Sequence, residues 1–205
     1  MTEIHIFRHG ETQWNLEHRA QGSLDSKLTA LGRTQAKDAR VKIIGVSFDV
    51  AFTSTSERAY QTAEILLADQ PTPIHPLDKL KEIDMGIWEG MTYEEIQQRY
   101  PVEYHNFWNK PSCYKPLGGE RFEELEQRAV TVLDEITAEH SGKTILLISH
   151  AGFIKTLINT LLGRPIDEIW AKPYTSNLTH SVIKRELEGE YHVMKYCDHP
   201  WGSGC

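Results

Sequence analysis

Three short apolar runs constrain what this 205-residue chain can fold into more than anything else in it. They are "IHIFRH" at residues 4–9, "FDVAFTS" at residues 48–54 and "KTILLISH" at residues 143–150. Each stays apolar for a few residues and then stops at a cation, a hydroxyl or an imidazole. Such runs, followed by a glycine or by helical spacing, read as buried strands. The segments behind them have helical character. "LTALGRTQAKDARVKI" starts at Thr29, a fair N-cap, and "SERAYQTAEILLAD" spaces its Ala and Leu behind Ser56. "AGFIKTLINTLLG" is closed by Gly163 and Pro165. Alternating strands and helices predict a three-layer α/β/α sandwich with a mostly parallel sheet. The late "SVIKRELEGEYHVMKY" turns near Glu188 and Gly189 and reads as a hairpin supplying an antiparallel edge.

Between these elements, Pro71, Pro73 and Pro76 read as breaks, and Thr92 with Glu95 fits a capping box. Pro101 restarts an aromatic stretch ending at Trp108. Residues 119–140 read as the longest helix, with Phe122, Leu125, Ala129, Val132, Leu133 and Ile136 along one stripe. The same helix, "FEELEQRAVTVLDEI", offers a face on which a homodimer could form. With no repeat, low-complexity tract or linker, one domain over residues 1–205 is expected, with residues 85–120 as a lid over the site. The Gly- and Ser-containing tail "DHPWGSGC" is expected to be loose.

Charge sets the limits on function. The 22 Lys+Arg against 29 Asp+Glu give a net charge of -7, which argues against a nucleic-acid or anionic-membrane surface. An anionic ligand would need a local cluster of cations. Cys113, Cys197 and Cys205 are odd in number and lack C-x-x-C spacing, so neither a zinc site nor a disulfide framework is indicated. Arg8, Glu11, Glu17 and Arg19 interrupt any signal-peptide core, and no apolar run approaches ~18 residues. A cytoplasmic protein is expected.

That local cluster is present at the strand ends. Ligands of parallel α/β sheets bind beyond the carboxyl ends of the strands. Arg8, His9 and Gly10 end the first strand, Arg58 follows the second, and His150 with Gly152 ends the third. If the three strands are neighbours, two arginines and two histidines converge. Such a group repels itself unless it binds a dianion. Arginine forks match phosphate oxygens, and helices starting after residues 56 and 150 would add backbone donors. Two arginines and one protonated histidine could stabilise a phosphoryl group without a metal, while the other histidine attacks it. A carboxyl near a bound dianion is pushed toward its acid form and could protonate the leaving group. "KLKEIDMGIWEG" offers Glu82, Asp84 and Glu89, and the residues alone do not choose between Glu82 and Asp84.

Taken one at a time these signals are bland: Arg8-His9 could be a solvated strand end, Arg58 a surface residue, His150 a bonded boundary histidine. Their joint placement outweighs that. His5, His18, His75, His105, His140, His180, His192 and His199 lack metal spacing and read as structural or exposed. Trp88, Phe107, Trp108 and Tyr114 read as core or lid packing.

Five blocks, "RHGETQWN", "QGSLDSKLTALGRTQA", "TSTSERAYQTAEIL", "EIDMGIWEG" and "LLISHAGFIKTLI", stand in order over residues 4–160. In these the chain resembles the histidine phosphatase superfamily, in the branch of cofactor-dependent phosphoglycerate mutases and related phosphatases. The resemblance implies that His9 is the phosphorylated nucleophile and that Arg8, Arg58 and His150 complete the phosphate pocket. It implies Glu82 as proton donor, with Asn15, Gln21, Gly22 and Gly152 lining the same pocket. Lys27 stands where the family often has proline, outside the chemistry.

No cofactor or metal is implied, and the partner is a small phosphomonoester, with inorganic phosphate or vanadate competing. Mutases of the family carry an insertion with an Arg-Arg pair that grips the substrate carboxylate. Residues 90–119 here lack that pair and are aromatic instead, with Tyr104, Phe107, Trp108 and Tyr114. Hydrolysis of varied phosphomonoesters, as in the bacterial broad-specificity phosphatases, is therefore expected. The alternatives are a phosphoglycerate mutase, an α-ribazole-phosphate or other narrow phosphatase, a fructose-2,6-bisphosphatase-like enzyme, and an inactive phospho-ligand-binding module.

Overall fold

The computed structural model describes residues 1–202. The chain opens with β1 (Thr2–Arg8), the single turn α1 (Gln13–Leu16) and α2 (Ala30–Asp38). Next come β2 (Val50–Ser54), α3 (Glu57–Leu66) and β3 (Ile74–Leu77). Two short helices, α4 (Tyr93–Arg99) and α5 (Pro101–Asn109), precede the long α6 (Phe122–Glu139). After β4 (Thr144–Ser149) and α7 (Ala151–Leu161), the chain ends in β5 (His180–Arg185), β6 (Tyr191–Tyr196) and β7 (His199–Pro200).

The seven strands form one sheet in the order β3-β2-β4-β1-β5-β6-β7. β1 runs parallel to β4 with Arg8 opposite Ser149, and β2 runs parallel to β4 with Thr53 opposite Ile148. The carboxyl ends of β1, β2 and β4 therefore share one edge. From β5 onward the pairing is antiparallel. Alternation along the strands builds two cores. Ile4, Ile6, Ile145 and Leu147 pack with Leu125, Leu133, Phe153 and Leu157 of α6 and α7. Phe7, Leu146 and Ile148 pack with Ala36, Ala59 and Ala63 of α2 and α3. Successive strand residues point to opposite faces, so helices on both sides complete the three layers.

Local chemistry explains the helix starts. The Thr29 side chain accepts from Gly32 N at the head of α2, and Thr92 and Glu95 form the full capping box of α4. Ser56 differs from expectation: it makes no side-chain cap, and the α3 N-terminus instead donates through Glu57 N to the Asp25 carboxylate. The apolar stripe of α6 is buried in the chain's own core, so it is not a surface for a second copy. The prolines at 71–76 do not exclude a strand. Ile74–Leu77 pairs with β2 at the sheet edge, where Pro76 has no further ladder to serve. The tail is not loose as far as described: His199 and Pro200 pair with β6, and Trp201 packs edge-on against Tyr196. Its last residues, 203–205, lie outside the described ones.

A buried histidine pair sits on the α2/α3 face of the sheet. His5 Nε2 bonds Glu3 at 2.8 Å, its Nδ1 meets His180 Nε2 at 3.0 Å, and His180 stacks on Phe7 at 4.3 Å. Burial lowers both imidazoles, His180 to about 3, with neighbouring His5, Lys195 and Lys42 adding to it. Below pH ~6.5 the unfolded chain takes up protons that the folded one refuses, so stability is lost as pH falls from there toward 3. The melting temperature is expected to be flat between pH ~7 and ~8 and to fall steadily below ~6.5; a curve flat down to pH ~4.5 would contradict this.

Candidate active site

The shared edge of β1, β2 and β4 opens into a cleft of about 250 Å³. Arg8, His9, Asn15, Gln21, Gly22, Arg58, Glu82, His150 and Gly152, all singled out in the sequence, line it together. His9 follows β1 and is held by its own N–H on Ser149 O at 3.1 Å. Its ring Nδ1 is 2.7 Å from Gly10 O, so Nδ1 carries the proton and Nε2 keeps its lone pair. The His150 ring lies 5.1 Å from that of His9. Arg58 Nη2 donates to His150 Nδ1 at 3.1 Å, which puts the His150 proton on Nε2.

Arg58 is 1% exposed and is held at four points. Nη1 donates to Leu24 O at 2.6 Å and Asp25 Oδ1 at 2.9 Å, and Nη2 donates to Gly22 O at 3.0 Å as well as to His150. Arg8 Nη1 donates to Thr175 O at 2.7 Å. Three buried donors at this edge, Arg8 Nε, Arg58 Nε and His150 Nε2, have no protein acceptor. An unmatched buried donor costs about 1–3 kcal/mol, so three in one place suit an acceptor-only ligand such as phosphate. Burial first, then the two guanidiniums, holds His9 and His150 well below the ordinary imidazole value. Both rings are thus neutral in the ligand-free protein. The protonated partner anticipated from the sequence needs the negative charge of a bound dianion.

Glu82 and Asp84, which the residues alone left open, are separated by the fold. Glu82 Oε2 accepts from Gly152 N at 2.9 Å, and Oε1 accepts from Phe153 N at 2.9 Å and Ile83 N at 3.0 Å. The carboxylate thus sits on the N-terminus of α7 at the cleft wall. Asp84 faces away, accepting from Gly86 N at 2.8 Å beside a second, outer cleft. Glu89 braces the 22–24 loop through Ser23 N and Leu24 N. A Cβ on Gly22, whose φ is +52°, would lie 2.1 Å from Glu89 Oε1, so a side chain there strains the turn and displaces the carboxylate that braces it. The backbone donors expected from the two helix starts are committed to protein carboxylates, Asp25 at α3 and Glu82 at α7.

Asn15 and Gln21 remain suited to donate into the cleft. Asn15 Oδ1 accepts from Thr12 N at 3.1 Å, and Gln21 Oε1 accepts from Thr12 Oγ1 at 3.1 Å, which turns both amide oxygens away. Of the four aromatics read as packing, Trp88 and Tyr114 belong to the core, whereas Phe107 and Trp108 also line the cleft. Sequence reasoning missed Tyr93, Trp170 and Tyr174 in the lining, and Asn177, whose Nδ2 donates to His9 O at 2.9 Å. Residues 171–179 have no periodicity that could have signalled Tyr174 or Asn177.

A parallel-cored sheet with a cation-lined, anion-sized cleft at its carboxyl edge makes this a phosphate-handling α/β protein. The description "Histidine phosphatase superfamily (branch 1)" matches residues 4–198, and the chain belongs to that superfamily. It is 30% identical over 186 residues to phosphoserine phosphatase 1 of Hydrogenobacter thermophilus, covering 91% of this chain and 88% of that one. It is 35% identical to the uncharacterized phosphatase PhoE of Bacillus subtilis over 163 residues, 80% of this chain and 79% of that one. Among solved structures, YhfR of Bacillus stearothermophilus superposes with a TM-score of 0.93 at 38% identity, over 97% of this chain and 98% of that one. Among the described residues no helix is long and apolar enough to cross a membrane.

Proposed function

We propose that this phosphatase hydrolyses phosphomonoesters of varied leaving group through a phosphohistidine on His9. The carrying observation is the His9 ring: neutral, with Nδ1–H fixed on Gly10 O and its Nε2 lone pair beside Arg8, Arg58 and His150. In the first step Nε2 forms a bond to phosphorus as the ester P–O bond breaks. The arginine forks and the His150 Nε2–H take the charge of the equatorial oxygens. Glu82 gives its proton to the leaving oxygen. In the second step Glu82 accepts a proton from water as that water attacks the phosphohistidine, releasing phosphate and restoring His9.

Hydrolysis is favoured over mutase chemistry by where the remaining cations go. Besides the phosphate cradle, the cleft is lined by two cations among the described residues, Arg19 and Lys155. Arg19 is bound to Glu17 and to Gly90 O, and Lys155 to the carbonyls of Ala171 and Pro173. Both are thus engaged by the protein first, and only their remaining N–H donors face a substrate. The same cleft is lined by Tyr93 and Trp108, 5.8 Å apart edge to face, and by Trp170, 4.8 Å from Trp108. We assign α4 and α5, which carry Tyr93, Phe107 and Trp108, as a lid within residues 85–120 that accepts apolar or aromatic leaving groups.

Phosphorus NMR with 3-phosphoglycerate and with p-nitrophenyl phosphate tests this, each with and without EDTA and with and without trace 2,3-bisphosphoglycerate. Free phosphate from both, unaffected by bisphosphate or EDTA, is expected. Conversion to 2-phosphoglycerate dependent on the bisphosphate would establish a mutase, and loss of activity in EDTA would establish a metal site.

A further inference from the structure

Glu82 lies where neither a strand nor a helix holds the backbone: residues 81–85 run between two single 3₁₀ turns, Asp78–Leu80 and Gly86–Trp88. A carboxyl that must meet a leaving oxygen within a few tenths of an ångström needs its main chain fixed from elsewhere. Arg128, on α6, supplies this. Its Nη1 donates to Lys79 O and Lys81 O, both at 2.8 Å, and its Nη2 donates to Glu82 O at 3.3 Å. Three carbonyls of one irregular segment thus converge on one guanidinium. The same group lies 5.7 Å from the ring centroid of Phe153, whose N–H holds the Glu82 carboxylate.

The guanidinium is aimed in turn by Glu120. Arg128 Nε donates to Oε1 at 2.8 Å and Nη2 to Oε2 at 2.6 Å, a two-pronged pairing that lysine cannot reproduce. Glu120 also reaches the far side of the segment, its N–H donating to Asp84 O at 2.8 Å. Residues 79–84 are therefore bracketed at both ends by one ion pair. That pair stands in the outer cleft with Asp84 and Lys81, and Glu82 lines both that cleft and the one holding His9.

We propose that Arg128, oriented by Glu120, is a positioning residue that sets the Glu82 carboxyl against the leaving oxygen without touching substrate. The inference rests on Glu82 as the proton donor proposed above. Its signature is dependence on the leaving group. Benzyl phosphate and p-nitrophenyl phosphate are similar in size, but the benzyl alkoxide needs a proton to depart and p-nitrophenolate does not. kcat/KM reports the steps up to that departure.

The experiment measures kcat/KM for both esters in the native enzyme and in Arg128→Ala, Arg128→Lys and Glu82→Gln. Glu82→Gln is expected to lose roughly 10²-fold or more on benzyl phosphate and far less on p-nitrophenyl phosphate. Arg128→Ala is expected to follow the same pattern at roughly 10- to 100-fold, with partial recovery in millimolar guanidinium entering the outer cleft. Should Arg128→Ala not fold, Arg128→Lys is read in the same way. An equal fall on both esters, or none on either, in an Arg128 variant beside a leaving-group-dependent Glu82→Gln overturns the positioning role. A Glu82→Gln enzyme with no such dependence overturns the proton-donor reading itself, and the inference with it.

Discussion

Replacing His9 with alanine is expected to reduce turnover by roughly 10⁴-fold or more, because the covalent route then has no nucleophile. The fold should survive. The His9 ring has one side-chain bond, to the adjacent Gly10 carbonyl, and it is buried beside two guanidiniums that disfavour its protonation. The ring is uncharged at neutral pH, so its removal relieves no repulsion and leaves a small void beside the cleft; the melting temperature should fall slightly without loss of cooperative unfolding. Rapid quenching should trap acid-labile, base-stable phosphate on the native protein and none on His9→Ala. A Glu82 variant that slows only the second step should accumulate it. Turnover unchanged in His9→Ala would remove His9 from the chemistry.

Arg58 is expected to give the second largest effect, with a different stability outcome. Arg58→Ala should lower kcat/KM by roughly 10³-fold or more, as loss of a guanidinium on a transferring phosphoryl group does. It should also abolish vanadate binding. It empties a site where Gly22 O, Leu24 O, Asp25 and His150 Nδ1 all find their donor, so the protein should lose about 2–3 kcal/mol of stability as well. Arg58→Lys should rescue little, since an ammonium cannot serve four acceptors and a phosphate oxygen together. Activity in Arg58→Lys within a fewfold of native would mean that a point charge suffices there.

Much of this site was legible in the sequence because its residues stop strands. Arg8-His9, His150 and, one helical turn on, Arg58 are each marked by an apolar run that ends at them, and the sheet then has few ways to arrange its carboxyl edge. The caps at Thr29 and Thr92 were legible for the same local reason, a hydroxyl just ahead of helical spacing. What was not legible lies in segments without period. Asn177 and the Thr175 carbonyl, which fix His9 and Arg8, come from a loop whose path only the finished fold determines. The Asp25 cap on α3 reaches across sequence from another loop, so Ser56 looked like the natural cap. β3 was hidden by prolines that an edge strand tolerates. Glu82 was separable from Asp84 by resemblance; its physical reason, the N-terminus of α7, is seventy residues away.

The position of β1 has a consequence for how the protein comes into being. β1 is an interior strand of the sheet, and both of its neighbours, β4 and β5, are drawn from residues 144 onward. Until residues 144 onward are made, the segment bearing Arg8 and His9 has no partner in the sheet, and its apolar residues wait for them. No amino-terminal fragment ending before residue 144 can assemble the cleft. The return of catalysis during refolding therefore reports the closure of the β2-β4-β1 triplet, which joins residues about 140 positions apart.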